Sequence, residues 1–401
     1  MPKAIYRTQL HEGDGRGTPR LLGGNSKLGD RRVSRLSRDR RVFKGRPGIV
    51  GKVVEYLLDY MVLPAGVEVV IAAWVVAARL IEVWDRFPHL AVTSPEKRCG
   101  KTLLLDLLFP IVPRGRYTTN ISPAALYRVI ELEQPTLLMD ESQSLKRRGS
   151  EASEVTREIL NAGIGRNAKV TRCGGERHDK IEEFAIYCPK VFAMIGDPDG
   201  VLADRCLPVP LKRKTKDDVV ERYRSRVVEQ RGEKLKASLE QWAQDSQAQV
   251  SKVYNGLEPF LIENDRMAEL LLPLQAVATV AGDGQVLNVL YQYAVGLDER
   301  DQEQETQTPG VRLLVACREL LGRKVAFMPT DNLIRLLVDR REEPWHRWTR
   351  GESITREGLA TLLRPFGIKP ARNKTQTARG YHAADFQDAW QRYLGTPKNP
   401  G

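Results

Sequence analysis

The run Ser94-Pro95-Glu96-Lys97-Arg98-Cys99-Gly100-Lys101-Thr102 constrains this 401-residue chain more than any other stretch. An apolar run at residues 90–93 precedes it and reads as a strand; another at 103–108 follows and reads as a helix. Strand, tight loop and helix in that order aim free backbone N–H groups and a helix N-terminus at an anion. In such a loop the Lys101 ammonium reaches the β- and γ-phosphates, and the Thr102 hydroxyl binds Mg²⁺. Residues Ser94 through Thr102 are therefore the candidate nucleotide-binding positions. Pro95 stands where loops of this type usually carry their first glycine.

A second string supports the first. Pro135-Thr136-Leu137-Leu138-Met139-Asp140-Glu141 reads as an apolar strand ending in two carboxylates. After a phosphate loop, the first carboxylate (Asp140) holds Mg²⁺ through water, and the second (Glu141) polarises the attacking water. A buried strand followed by a solvated acidic turn is the plainer reading of the string alone. The order and spacing of the two strings together point to ATP and Mg²⁺.

The chain is long enough for two or three domains. Its 41% hydrophobic and 28% charged residues fit a water-soluble globular protein. The longest apolar run, 69–78, is cut by Arg79 and Glu82 and is too short to span a bilayer. It reads as a buried helix, and no membrane partner is expected. The N-terminus shows no apolar signal core, so a cytoplasmic location is expected. The five cysteines form no Cys-x-x-Cys pair, which fits reduced thiols better than a disulfide frame or zinc site.

Charge is concentrated at the start. Residues 1–48 hold thirteen Lys or Arg against four Asp or Glu, most of the formal net charge of +12. This segment is too polar to build a core and reads as a basic disordered arm that is either simply solvated or contacts phosphates. It is too short for a primase-like domain, so any priming activity is expected from another chain.

Beyond the arm, strands and helices alternate as in an α/β core. Residues 53–84 read as largely helical, and Ser122-Pro123 opens a helix. Residues 190–196 and 207–211 read as further strands. Residues 169–173 and 182–188 read as a hairpin turned at Gly174-Gly175. Lys169, Arg172, Arg177 and Lys180 on this hairpin are either scattered surface charge or contacts to a nucleic-acid backbone. Leu202-Ala203-Asp204-Arg205 precedes the last core strand. Arg205 there is either half of a local ion pair with Asp204 or an arginine offered to the γ-phosphate of a neighbouring subunit.

Taken together, Ser-Pro-Glu-Lys-x-Cys-Gly-Lys-Thr, Met-Asp-Glu and Leu-Ala-Asp-Arg-Cys-Leu-Pro-Val resemble an ATPase family of phages and mobile elements. That family was long catalogued as a domain of unknown function, and its members are often labelled helicase-like. It is similar to AAA+ ATPases of the replicative, MCM-like branch. The resemblance covers about residues 50–395 and extends to Asp339-Arg340-Arg341-Glu342-Glu343-Pro344-Trp345, Phe366-Gly367-Ile368 and Arg379-Gly380-Tyr381. It implies a ring, commonly a hexamer, that binds nucleotide between subunits and moves on single-stranded or forked DNA. It assigns Lys101, Thr102 and Asp140 to phosphate and Mg²⁺, Glu141 to water, and Arg205 to catalysis in trans. Arg266 becomes a second sensor of the γ-phosphate. Pro95 is normal for the family. Where related proteins place an asparagine after the fourth core strand, this chain has Gly196-Asp197.

The expected architecture is an α/β, AAA+ P-loop core with a helical lid and a C-terminal winged-helix-like domain. Its parts are the arm (1–48), a helical segment (49–84), the core (85–215), the lid (216–297), a polar linker (298–308) and the winged helix (309–396). In the last, Arg356 lies on the candidate recognition helix, and Arg372, Lys374 and Arg379 decorate the wing. Trp345, Trp348 and Trp390 read as core. The expected activity is ATP-driven DNA translocation or unwinding in replication of a mobile element. An ATP-switched loader, or a DNA-binding regulator with a mainly structural ATPase core, stays open.

Overall fold

Two helices, α1 (Ile49–Tyr60) and α2 (Val67–Ala77), open the described chain. The computed structural model describes residues 47–119, 121–140, 151–174, 180–198, 200–322, 325–349, 351–373, 375 and 377–394. Glu141, Arg177, Lys374 and nearly all of the basic arm lie outside these residues. Every residue of α2 is buried, as a helix apolar on all sides requires; Glu68 in its first turn is the one charged residue among them, and burial pushes its pKa up. Two buried indole N–H groups are satisfied: Trp74, within α2, donates to the Pro88 carbonyl at 2.8 Å, and Trp84, after it, to that of Ala77 at 2.9 Å.

The centre is a five-stranded parallel sheet in the order β2-β3-β6-β1-β7. Its strands are β1 (His89–Ser94), β2 (Gly115–Thr118), β3 (Thr136–Met139), β6 (Lys190–Ile195) and β7 (Cys206–Pro210). A parallel sheet is stable when helices cover both faces, and alternate residues go to opposite cores. Leu90 and Val92 of β1, with Leu138, Val191, Ala193, Leu207 and Val209, join one core. Ala91, Leu137, Phe192, Met194 and Cys206 join the other. The first core is closed by α1, α2 and α3 (Lys101–Leu108), and by the long helices α7 (Ser225–Gly256), α8 (Asp265–Val280) and α9 (Gly284–Gln307). The second is closed by α4 (Pro123–Glu133), α5 (Glu151–Ala162) and Leu202 of the short α6 (Gly200–Ala203). Ser122 caps α4, its hydroxyl accepting from the Ala125 N–H. Between α5 and β6 stands an antiparallel hairpin of β4 (Lys169–Gly174) and β5 (Lys180–Ala185).

The polar run expected to be a linker is helical instead. Residues 298–307 continue α9, and Thr308 then caps α10 (Pro309–Leu321). Glu, Gln and Arg are good helix formers, so an established helix propagates through them without an apolar face.

The C-terminal unit has its own core around Leu313, Leu333, Trp345, Leu359, Tyr381 and Trp390. Helices α10, α11 (Thr330–Val338), α12 (Arg356–Leu363) and α13 (Gln387–Tyr393) surround it. Its three-stranded antiparallel sheet runs β8-β10-β9, from Phe327–Pro329, Arg379–His382 and Ala371–Arg372. The five cysteines are free, and four are buried. Among the described residues no helix is long and apolar enough to cross a membrane.

Candidate functional site

The loop from Ser94 to Thr102 leaves the carboxyl end of β1 and enters α3, as its sequence predicts. Gly100 makes the turn with φ +89°, a left-handed conformation that glycine adopts without strain. Arg98 holds φ +65° in the same loop. Gly100 caps α3 without a side-chain acceptor, so the N–H groups of the first turn are left to a ligand or water. Pro95, Glu96, Lys97 and Arg98 are exposed and Cys99 is buried. The Lys101 ammonium donates to Ser94 Oγ at 2.5 Å and to the Glu96 carbonyl at 3.2 Å. These contacts fold it back over the loop.

The carboxylate strand arrives beside this loop. Thr102 Oγ1 donates to Asp140 Oδ2 at 2.9 Å, joining the two strings. Lys97 through Leu103, with Asp140 and Ala193 to Ile195 of β6, line a cleft of about 400 Å³. β6 lies between the loop strand and the carboxylate strand, so the cleft sits at the carboxyl ends of three neighbouring strands, where open α/β sheets bind ligands. Gly196 follows β6 with φ +67°, its N–H bonded to the Ser94 carbonyl at 2.9 Å.

Three further residues belong here that single-string reading missed. Tyr117 on β2 donates its hydroxyl to Asp140 Oδ2 at 2.9 Å. Asp106 lies one helical turn after Thr102; burial, then the Asp140 carboxylate, pushes its pKa up. Arg213, past the end of β7, grips the loop through Glu96 Oε2 at 2.9 Å and the Lys97 carbonyl at 3.0 Å. None carries a spacing signature, and each acts across long sequence separation.

Arg205 and Arg266 lie elsewhere. β1 and β7 run parallel with His89 opposite Cys206, so Arg205 sits at the amino end of the sheet. The loop lies at the other end, roughly 17 Å along β1 at 3.3 Å per residue. Arg205 Nε donates to the Asn161 carbonyl at 2.7 Å and Nη1 to that of Val201 at 2.5 Å. Burial, then the Arg266 guanidinium, lowers its pKa. Asp204 makes its ion pair with Arg266, at 3.6 Å, rather than with its neighbour.

The same end holds a buried polar cluster. His89 Nε2 meets the Leu160 carbonyl at 3.1 Å, and the Lys190 ammonium donates to the carbonyls of Gly163, Ile186 and Cys188 at 3.0–3.1 Å. With Arg205 on Asn161, three side chains meet carbonyls at the end of α5, and for the Lys190 and Arg205 charges a helix C-terminus is a favourable place.

The candidate nucleic-acid contacts fall on two hairpins. On the first, Lys169 pairs with Glu183 at 2.8 Å, Arg172 lies over the Tyr127 ring at 5.6 Å, and Lys180 is exposed at the start of β5. On the second, Arg372 and Arg379 are exposed across the β9–β10 pair and line a shallow groove with Pro370, Thr377 and Ala378. Arg356 is engaged: it donates to both carboxylate oxygens of Asp331, at 2.6 and 2.5 Å. Its charge is thus matched inside its own unit.

Fold and site define an α/β protein with a polar cleft at the carboxyl ends of a five-stranded parallel sheet. A family model described as protein of unknown function (DUF3631) matches residues 210–393, past most of the sheet. An uncharacterized 28.9 kDa protein in a xis 5'region of Saccharopolyspora erythraea is 30% identical over 187 residues, 46% of this chain and 68% of that protein. The chain belongs to the same family as that protein. Two A-form apo structures of the NrS-1 C-terminal region align with TM-scores of 0.41 and 0.40, at 12% and 14% identity. Each alignment covers 85% of this chain and 76% of the other.

Proposed function

We propose that this chain is an ATP-driven DNA translocase or helicase of a phage, prophage or other mobile element, working as a ring of copies on single-stranded or forked DNA. The observation that carries the reading is the 2.9 Å hydrogen bond from Thr102 to Asp140. Two strings far apart in sequence meet there as a hydroxyl and a carboxylate, hard oxygen donors of the kind Mg²⁺ takes. Lys101 and the first turn of α3 border the same cleft. In this reading the sheet and its helices are an AAA+ P-loop core, α7 to α9 form the lid, and the C-terminal unit is a winged helix. Helices α10 to α12 followed by the β9–β10 hairpin match that module in order. The relative's position in a xis 5'region supports the mobile-element setting.

Mg²⁺, when bound, neutralises charge shared by the β- and γ-phosphates. Lys101 exchanges Ser94 Oγ and the Glu96 carbonyl for phosphate oxygens, and Thr102 and Asp140 would hold the metal. Glu141 takes a proton from water as that oxygen bonds to the γ-phosphorus and the bond to ADP breaks. Arg205 and Arg266, at the far end of the sheet, serve the nucleotide of an adjoining copy. Lys169, Arg172 and Lys180, with Arg372 and Arg379, track the DNA backbone.

The test is ATP turnover with and without single-stranded DNA, over a salt series. Stimulation that fades with salt is expected, and Glu141→Gln should abolish turnover while nucleotide still binds. Turnover indifferent to DNA refutes the motor. Turnover without strand displacement on a forked duplex identifies a loader instead.

A further inference from the structure

Three arginines from three separate segments converge at the amino end of the sheet. Arg86 lies three residues before β1 and is bridged to Gly165 through backbone hydrogen bonding. Arg205 immediately precedes β7, and its carbonyl accepts from the His89 N–H at 3.0 Å. Arg266 lies in the first turn of α8, three positions before Glu269. Two half-exposed ion pairs tie the group together: Arg86 to Glu269 at 3.4 Å and Arg266 to Asp204 at 3.6 Å. Both are long and solvated, so they are weak and exchangeable. Like charges brought together lower each other's affinity for protons: Arg266 and Arg86 both depress the Arg205 guanidinium, after burial. Such a cluster is relieved by an anion.

We propose that Arg86, with Arg205 and Arg266, forms a phosphate-binding site for the triphosphate held by the 94–102 loop of a second copy of this chain. The inference rests on the ATPase reading above and adds Arg86 as a third trans-acting cation. The occupant follows from geometry. The cluster and the loop face opposite ends of β1, so one chain cannot bring them together. A head-to-tail neighbour can, and such a heterologous contact forms a ring when the rotation between copies closes. Apolar surface beside the arginines fits burial against a protein: Val201, whose carbonyl Arg205 holds, is 55% exposed. In the assembled site Glu269 and Asp204 surrender their arginines to phosphate oxygens, which bind guanidinium bidentately and more tightly.

The test is complementation between defective subunits of the full-length chain, read as DNA-stimulated ATP turnover. Arg86→Ala and Lys101→Ala are purified separately and then mixed. Each alone is expected to lose about 10³-fold or more in turnover, the scale at which trans-acting arginines work. Arg86→Ala should still bind nucleotide, because its loop is intact. In an equimolar mixture about a quarter of head-to-tail interfaces pair an intact loop with an intact Arg86, and turnover should recover to about that fraction. Recovery also shows that the Arg86→Ala chain is folded, since it supplies the working loop. Arg86→Ala with full turnover, while Arg205→Ala is inactive, overturns the role of Arg86 and leaves the ATPase reading standing. An inactive Arg86→Ala that Lys101→Ala does not rescue, though it rescues Arg205→Ala, overturns it equally. Absence of turnover in the unmodified protein refutes both readings together.

Discussion

His89 should make the central sheet sensitive to acid. It is the first residue of β1 and fully buried. With the Leu160 carbonyl as acceptor, Nε2 carries the proton, and Nδ1 has no partner among the described residues. The edge of Phe192 packs against the ring at 5.3 Å. Burial first, then the Lys190 charge, holds the imidazole pKa well below 6.5. Above pH 6.5 the ring is neutral in both folded and unfolded chains, so it contributes no pH dependence. Below that value the unfolded chain takes up a proton that the folded chain refuses, and stability falls. Between the unfolded pKa and the lower folded one, the slope approaches about 1.4 kcal/mol per pH unit. Hydrogen exchange of the Leu90, Ala91 and Val92 amides, corrected for intrinsic rates, reads the opening free energy of this sheet. His89→Gln keeps a donor for Leu160 and cannot titrate, so it should be less stable at neutral pH but flatter below it. Parallel profiles for the two proteins across this range would show that His89 is already charged when folded, and the reasoning fails.

Two further outcomes are expected. A Cβ on Gly380 would clash with the Met328 carbonyl oxygen and meet Pro329 Cα at 2.7 Å in the middle of the β8-β10-β9 sheet. Gly380→Ala should therefore cost the C-terminal unit more than about 2 kcal/mol in urea unfolding, and an unchanged midpoint would contradict the strand register. Tyr117→Phe removes one of the two hydroxyls that, among the described residues, donate to Asp140 Oδ2. It should raise the Mg²⁺ concentration for half-maximal turnover about tenfold with little change at saturating metal, and an unchanged Mg²⁺ profile would remove Tyr117 from the site.

The parts of this fold legible in sequence are those where a short string alone imposes the geometry. Gly100 must turn left-handed, the apolar runs around it must be buried, and Ser122-Pro123 must start a helix. The placement of β6 between β1 and β3 was not legible, because every core strand is apolar and strand order is decided by long-range packing. Charged residues were the least readable class, since sequence shows a charge and not its partner. Arg356 belonged to a basic surface on count alone, yet Asp331, on a different helix, accepts from both its Nε and its Nη2. Asp204-Arg205 had two readings, an internal pair or an arginine offered outward. Asp204 turns instead to Arg266, and the Arg205 guanidinium lies on the carbonyls of Asn161 and Val201. Those are neutral acceptors, and a phosphate oxygen competes with a neutral carbonyl more readily than with a carboxylate. The contact that denies Arg205 its sequence neighbour therefore also keeps it exchangeable, which an arginine acting on another copy requires.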